Sequence, residues 1–249
     1  MGKVLITGAT GGIGLALAQQ FLEEGYDVGF TSRSAEKAAE TQKELRKIGN
    51  GKVFSFVQDL TNYESAQKIA QFAQEKLAGF DILINNVGVW TETPFLKVTP
   101  SEFRSHIANL EGTFFLTQAI AQYWIDNKIE GTIVNLGSLW GKVAVGPTPS
   151  SAHSVVKAAI HQMTKNVAQE LGSHQIRVNA VSPGVVNDEA THLTHIHPLG
   201  KLGRPEDVAK IVRFLASKEM SPWMTGAIID VDGGASCCIP QAPKIQSRL

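Results

Sequence analysis

Hydrophobic residues in this chain gather in short unbroken runs separated by amphipathic stretches. Val4 to Ile6 is apolar without alternation and stops at glycines, the pattern of a parallel strand buried on both faces. A helix over Ile13 to Phe21 follows, with Leu15, Leu17, Ala18, Phe21 and Leu22 supplying its buried side. Asp27 to Ser32, Lys52 to Val57, Asp81 to Asn85, Thr132 to Leu136, Arg177 to Val181 and Ala227 to Val231 read as further strands. Between them the pattern predicts a helix over Ser34 to Ile48, opened by a Ser cap, and one from about Ser65 to Leu77. It also predicts a helical stretch over Pro100 to Asn127 with a change of direction near Asn109 to Gly112, and a long helix over Ser151 to Leu171. A last helix begins with Pro205 at its first position. Strands that alternate with helices of this length predict an α/β chain forming one domain around a doubly wound parallel sheet. No repeat or linker breaks it, and the stretch from Pro183 to Arg204 reads as polar.

The glycines between the first strand and helix, Gly8-x-x-x-Gly12-x-Gly14, bring in chemistry. Strand, glycine turn and helix N-terminus together aim backbone N–H groups at a phosphate. Gly8 permits the tight turn, Gly12 the approach of a pyrophosphate, and Gly14 close packing of helix on strand; such turns also occur without a ligand. Charge narrows the partners. Lys+Arg and Asp+Glu are 23 each among 249 residues, so no overall charge draws the chain to nucleic acid or an anionic membrane. The longest apolar runs are strand-sized rather than membrane-sized. The first strand begins at once, which leaves no room for a signal peptide, and Ile6 weakens a myristoylation reading of Met1-Gly2. Cys237 and Cys238 are adjacent and close no useful loop. A cytoplasmic location is the expectation.

Several motifs then fall in order: Thr7-Gly8-x-x-x-Gly12-Ile13-Gly14, Asp59, Asn85-Asn86-x-Gly88, Asn109, Ser138, Lys157, Pro183-Gly184, and Thr225-Gly226 with Asp230-Val231-Asp232-Gly233-Gly234. In this order and spacing the chain resembles the short-chain dehydrogenase/reductase family over nearly its whole length. The stretch Gly203 to Ala209 is most similar to the bacterial 3-oxoacyl-carrier-protein reductase and sugar-alcohol dehydrogenase branch. The resemblance implies a Rossmann fold over residues 1–236 with a seven-stranded parallel sheet, helices on both faces, and a tail over 237–249. It also implies a nicotinamide cofactor across the strand ends, a small-molecule carbonyl or alcohol substrate, and a homotetramer or homodimer. Carried over residue by residue, the cofactor would meet Gly8, Thr10, Gly12, Ile13, Gly14, Asp59, Leu60, Asn86, Val87, Gly88, Lys157, Pro183, Gly184 and Val186.

An acidic residue at the end of the second strand would bind the ribose hydroxyls of NAD and repel a 2′-phosphate. This strand ends Thr31-Ser32-Arg33-Ser34 instead. Arg33 and Ser32 suit a phosphate, so NADP(H) is expected over NAD(H), against the reading of Arg33 as a solvated residue.

The family's reaction moves a hydride between nicotinamide and a carbonyl carbon while a tyrosine handles the proton. Here Ser138, Lys157 and Asn109 match the family's set, but four residues before Lys157 stands His153. Positions 153 and 157 share a helix face, so His153 occupies the tyrosine's station. A neutral imidazole beside Lys157 is a poor proton donor and a better base, which tilts the chemistry toward alcohol oxidation. Three readings stay open: a working variant acid/base, a cofactor-binding protein that has lost reductase chemistry, and an introduced substitution.

After Pro183-Gly184 the family usually places a Thr that touches the nicotinamide carboxamide, and Asp188 stands there. The segment from Gly184 to Pro198 is shorter than the branch's usual substrate lid, and Thr132 and Gln175 lie where carrier-docking arginines are expected. A carrier-protein thioester is therefore disfavoured as substrate. Trp90 and Trp140 follow strand ends and suit an aromatic pocket for an apolar carbonyl, or else packing. His192, His195 and His197 invite a metal reading without fixed ligand spacing, and no metal is expected. His161, one turn past Lys157, is expected to pack.

Overall fold

The computed structural model describes residues 2–145, 148–186 and 190–237. Seven strands, β1 (Lys3–Ile6), β2 (Asp27–Ser32), β3 (Val53–Val57), β4 (Ile82–Asn85), β5 (Thr132–Leu136), β6 (Arg177–Pro183) and β7 (Ile228–Val231), form one sheet in the order β3-β2-β1-β4-β5-β6-β7. Every pairing is parallel. Among the described residues six α-helices connect them: α1 (Gly12–Glu23), α2 (Ala35–Leu45), α3 (Tyr63–Lys76), α4 (Pro100–Asp126), α5 (Ser151–Leu171) and α6 (Pro205–Ala216).

The missing alternation in the strands has its cause in the two layers. Val4 and Ile6 of β1, with Ile82 and Ile84 of β4, pack beneath Leu17 and Phe21 of α1 and Val212 of α6. Leu5 and Leu83, pointing the other way, meet Ile69 of α3 and Leu116 and Trp124 of α4. Both faces of each central strand are therefore buried, and each such side chain contributes about 1.5–3 kcal/mol. Trp124 is wholly buried and satisfies its indole N–H on the Phe80 carbonyl at 2.8 Å.

Local chemistry fixes several boundaries. The Ser34 hydroxyl accepts from the Lys37 amide and caps α2, and Pro205 opens α6, as the sequence predicts. Two expectations need correction. Helix α3 starts at Tyr63 rather than Ser65, because Asn62 is the cap and Ser65 its capping-box partner. Helix α4 runs without interruption from Pro100 to Asp126, with no turn near Asn109 to Gly112. Gly112 serves a close approach instead: a Cβ there would lie 2.8 Å from the Leu60 carbonyl carbon. The stretch after Pro183 is also less polar than its composition suggests, since Val185 and Leu193 are buried with Leu139 and Trp140.

Strand order reverses between β1 and β4, whose following helices α1 and α4 cover opposite faces. A crevice opens at the strand C-termini of such a switch point. The turns Thr7 to Gly11 and Asn86 to Gly88 border it.

Candidate active site

The glycine turn after β1 is clamped from β4. The Asn86 side-chain Nδ2 donates to the carbonyls of Thr7 (2.9 Å) and Gly8 (2.8 Å), and the Thr7 hydroxyl accepts from the backbone N–H groups of Asn86 and Val87. Gly8 (φ +70) and Gly12 (φ +51) hold left-handed conformations that disfavour any side chain. The N–H groups of Gly8 and Ala9 bond to Thr31 on β2, which leaves the amides at the start of α1 for a phosphate. A Cβ on Gly14 would run into the Gly8 carbonyl oxygen and lie 2.6 Å from Asn86 Nδ2. Gly14→Ala is therefore expected to lower stability by about 1–3 kcal/mol and to abolish dinucleotide binding, as read by thermal melting and cofactor titration.

Two cavities of about 470 Å³ and 540 Å³ meet along the strand ends, sharing Asn86 and Gly88. The first is lined by Gly8, Thr10, Ser32, Arg33, Asp59, Leu60, Val87 and Asn109. The second is lined by Ile13, Ser138, His153, Lys157, Pro183, Gly184 and Val186. Of the residues expected to meet the cofactor or to serve in catalysis, all within the described residues, only Gly12 and Gly14 line neither; they shape the turn and the packing beneath it. Together the two cavities border the turns after β1 and β4, and the glycine cradle fits a nicotinamide dinucleotide. Sequence reasoning missed Lys37, which lines the first cavity beside Arg33. A lysine in the first turn of α2 opposes the helix dipole, and that misfit was the available signal.

Ser138, His153 and Lys157 are all buried in the second cavity's wall. Ser138 lies two residues past the end of β5, and its hydroxyl accepts from the Trp140 backbone N–H at 3.3 Å, capping the short turn Leu139–Gly141. His153 and Lys157 project from one face of α5. His153 Nδ1 lies 2.8 Å from the Val89 carbonyl oxygen, an acceptor only, so Nδ1 carries the proton and the neutral ring keeps its lone pair at Nε2. The Trp90 ring meets His153 edge-on at 4.7 Å between centroids and Trp140 at 4.9 Å. The Lys157 ammonium donates to the Leu136 carbonyl at 2.7 Å, and a Cβ on Gly88 would lie 3.3 Å from Nζ. Asn109 is not brought to Lys157 by a direct bond; its amide donates to the Leu60 carbonyl at 3.3 Å from the first cavity.

Burial, and then the nearby Lys157 charge, pushes His153 down to about 4. Burial lowers Lys157 to about 8. His161 is also pushed down to about 4, first by burial; its Nε2 accepts from the Ser138 amide at 3.4 Å, so this ring supports the strand end. Depressed histidines bind protons more readily in the unfolded chain. Their contribution is thus complete above about pH 6.5 and is lost as pH falls through 4, at up to about 1.4 kcal/mol per pH unit for each ring. Urea unfolding is expected to show a lower midpoint at pH 4.5 than at pH 7, with a shallower dependence in His161→Leu.

The histidines after β6 have other uses. His197 is buried, donates from Nδ1 to Leu193 (3.1 Å) and accepts at Nε2 from the Val185 amide (3.2 Å), while His195 donates to His192. Among the described residues no group of three His, Cys, Asp or Glu side chains is placed to hold a metal. Asp188, Cys238 and the tail beyond 237 lie outside the described residues.

Comparison with known proteins agrees with this geometry. The family model described as "Enoyl-(Acyl carrier protein) reductase" matches residues 8–236. The 3-oxoacyl-[acyl-carrier-protein] reductase FabG of Thermotoga maritima is 35% identical over 245 residues, covering 94% of this chain and 97% of the relative. A short-chain type dehydrogenase/reductase from Mycobacterium marinum superposes with a TM-score of 0.90 at 33% identity, covering 95% and 96% of the two chains. A 3-oxoacyl-[acyl-carrier protein] reductase with bound NAD from Brucella melitensis gives 0.86 at 31% identity, covering 94% and 91%. With the seven-stranded sheet, the glycine turn and matches along nearly its whole length, this chain belongs to the short-chain dehydrogenase/reductase family and is an oxidoreductase acting on carbonyl or alcohol substrates.

Proposed function

We propose that this chain is an NADP(H)-dependent oxidoreductase of a small or medium apolar substrate, in which His153 takes the place of the family's tyrosine and works chiefly as a base. The observation that carries this reading is the His153–Val89 contact. With Nδ1–H committed to a carbonyl, the neutral ring offers a lone pair to an alcohol proton and has no second proton to give a ketone. Ser138 would hold the substrate oxygen, and Lys157 would hold the cofactor ribose and keep His153 neutral. The nicotinamide supplies the acceptor or donor of hydride when bound.

Arg33, Ser32 and Lys37 around one cavity support a 2′-phosphate and hence NADP(H) over NAD(H). Trp90, Trp140, Val185 and Leu193 support an apolar substrate. Thr132, buried beneath Arg177, offers nothing to an acidic carrier protein. Trp90→Ala is accordingly expected to raise KM for a cyclic apolar alcohol by about 10-fold, with little change for a small acyclic one. Exposed Phe103 and Phe114 on α4 and Val155 on α5 support a homo-oligomer, dimer or tetramer, which sedimentation would show. Among the described residues no helix is long and apolar enough to cross a membrane, and a cytoplasmic place of action completes the proposal.

A second reading, a cofactor-binding protein without redox turnover, draws on the Lys157 ammonium being bonded to Leu136. Spectrophotometric assay of NADP⁺ reduction against an alcohol panel separates the two: turnover supports the oxidoreductase, and tight cofactor binding with no turnover supports the binder.

A further inference from the structure

A base that accepts a proton on a buried ring must pass it on, and the side chains beside His153 are arranged to do so. His106, on α4, is buried, with its ring centroid 6.1 Å from that of His153. Its Nε2 lies 3.0 Å from the Thr91 hydroxyl oxygen, and the Thr91 hydroxyl donates to Glu102 Oε1 at 2.6 Å. That bond holds the Glu102 carboxyl below its ordinary range, so it is ionised and acceptor-only. The single Thr91 proton is therefore spent on Glu102, and Nε2 of His106 must be the donor to Thr91. The neutral His106 ring then carries its lone pair at Nδ1. Glu102 sits in the first turn of α4, partly exposed. The charged groups around His106 are Glu102 on its own helix and Lys157 from α5, with His153 beside it.

We propose that His106, Thr91 and Glu102 form a proton exit from His153 to solvent, resting on the reading of His153 as the base in alcohol oxidation. The alcohol carbon gives its hydride to the oxidised nicotinamide, and the alcohol oxygen gives its proton to His153 Nε2. That proton crosses to His106 Nδ1 through one bridging water, a spacing common in proton transfer. His106 releases its Nε2 proton to Thr91, Thr91 releases its own to Glu102, and Glu102 releases it to bulk water. Each group ends with the number of protons it had; the Thr91 hydroxyl turns back toward Glu102, and His106, left with its proton on Nδ1, returns to the Nε2–H form by giving that proton to water and taking one back at Nε2 before the next turnover. The relay leaves His153 on the side of His106, while Trp90 packs edge-on against the ring in the cavity that Trp140 also lines.

Two measurements test it. Nitrogen-15 NMR of the histidine rings, on the protein without cofactor at neutral pH, is expected to show His106 protonated at Nε2 and bare at Nδ1. His106 protonated at Nδ1 would overturn the relay whatever the activity. In stopped-flow oxidation of an alcohol accepted by the wild type, Thr91→Val and His106→Phe are expected to lose about 10–100-fold in kcat at unchanged cofactor affinity. Thr91→Ser is expected to retain the rate, and added imidazole to restore the two slow variants. Slow variants that imidazole does not restore, or variants as fast as wild type, overturn the relay while leaving the His153 base standing. Silence of the wild type toward every alcohol overturns the base itself, and the relay with it.

Discussion

His153→Tyr is expected to raise NADPH-dependent ketone reduction at pH 7 by about 10²-fold or more. Reduction needs a proton on the group that faces the substrate oxygen. In the wild type that means the imidazolium, because Val89 holds the neutral ring's only proton. With His153 lowered to about 4 by burial and Lys157, roughly one ring in a thousand is cationic at pH 7. A phenol carries its proton at that pH, and the Lys157 charge one turn along would ease its release. The wild-type reduction rate is therefore expected to climb about tenfold per unit as pH falls from 7 to 5, whereas the tyrosine variant stays nearly level there. A level wild-type profile over that range would contradict the tautomer argument.

The second large effect concerns the cofactor. Arg33→Ala combined with Lys37→Ala is expected to weaken NADPH binding by roughly 10²-fold, since each charge-assisted contact to a phosphate contributes about 1.5–3 kcal/mol before solvent screening. NADH affinity should move little, and the NADPH loss should shrink as salt rises. Fluorescence titration of both dinucleotides at two ionic strengths checks this. An equal loss for NADH would mean that the two residues shape the pocket without reading a 2′-phosphate.

The fold was legible because β1, β4 and β5 are buried on both sides and so lose alternation, while each helix keeps one apolar face. The helix edges were less legible. Ser65 looked like a start and is the partner of the Asn62 cap, and Gly112 looked like a break and is a point of close contact with Leu60. The site residues were readable where a backbone requirement marks them, as Gly8 and Gly14 do. They were not readable where the determinant is a distance across the fold. Nothing in the order of residues places the Val89 carbonyl against His153, or Thr91 and His106 beside it, because α4, α5 and the loop after β4 meet only in three dimensions. Asn109 shows the converse: its position matches the family's, and its amide in this chain is bonded to Leu60.

The measurement that bears most directly on the account is the rate of both directions at pH 7, NADP⁺ with an alcohol and NADPH with the matching ketone, in the wild type and in His153→Tyr. The account predicts a wild type that oxidises measurably and reduces poorly, and a variant whose gain falls mainly on reduction. A wild type that reduces the ketone as fast as the variant, or one inert in both directions while the variant is active in both, would contradict His153 as the working base.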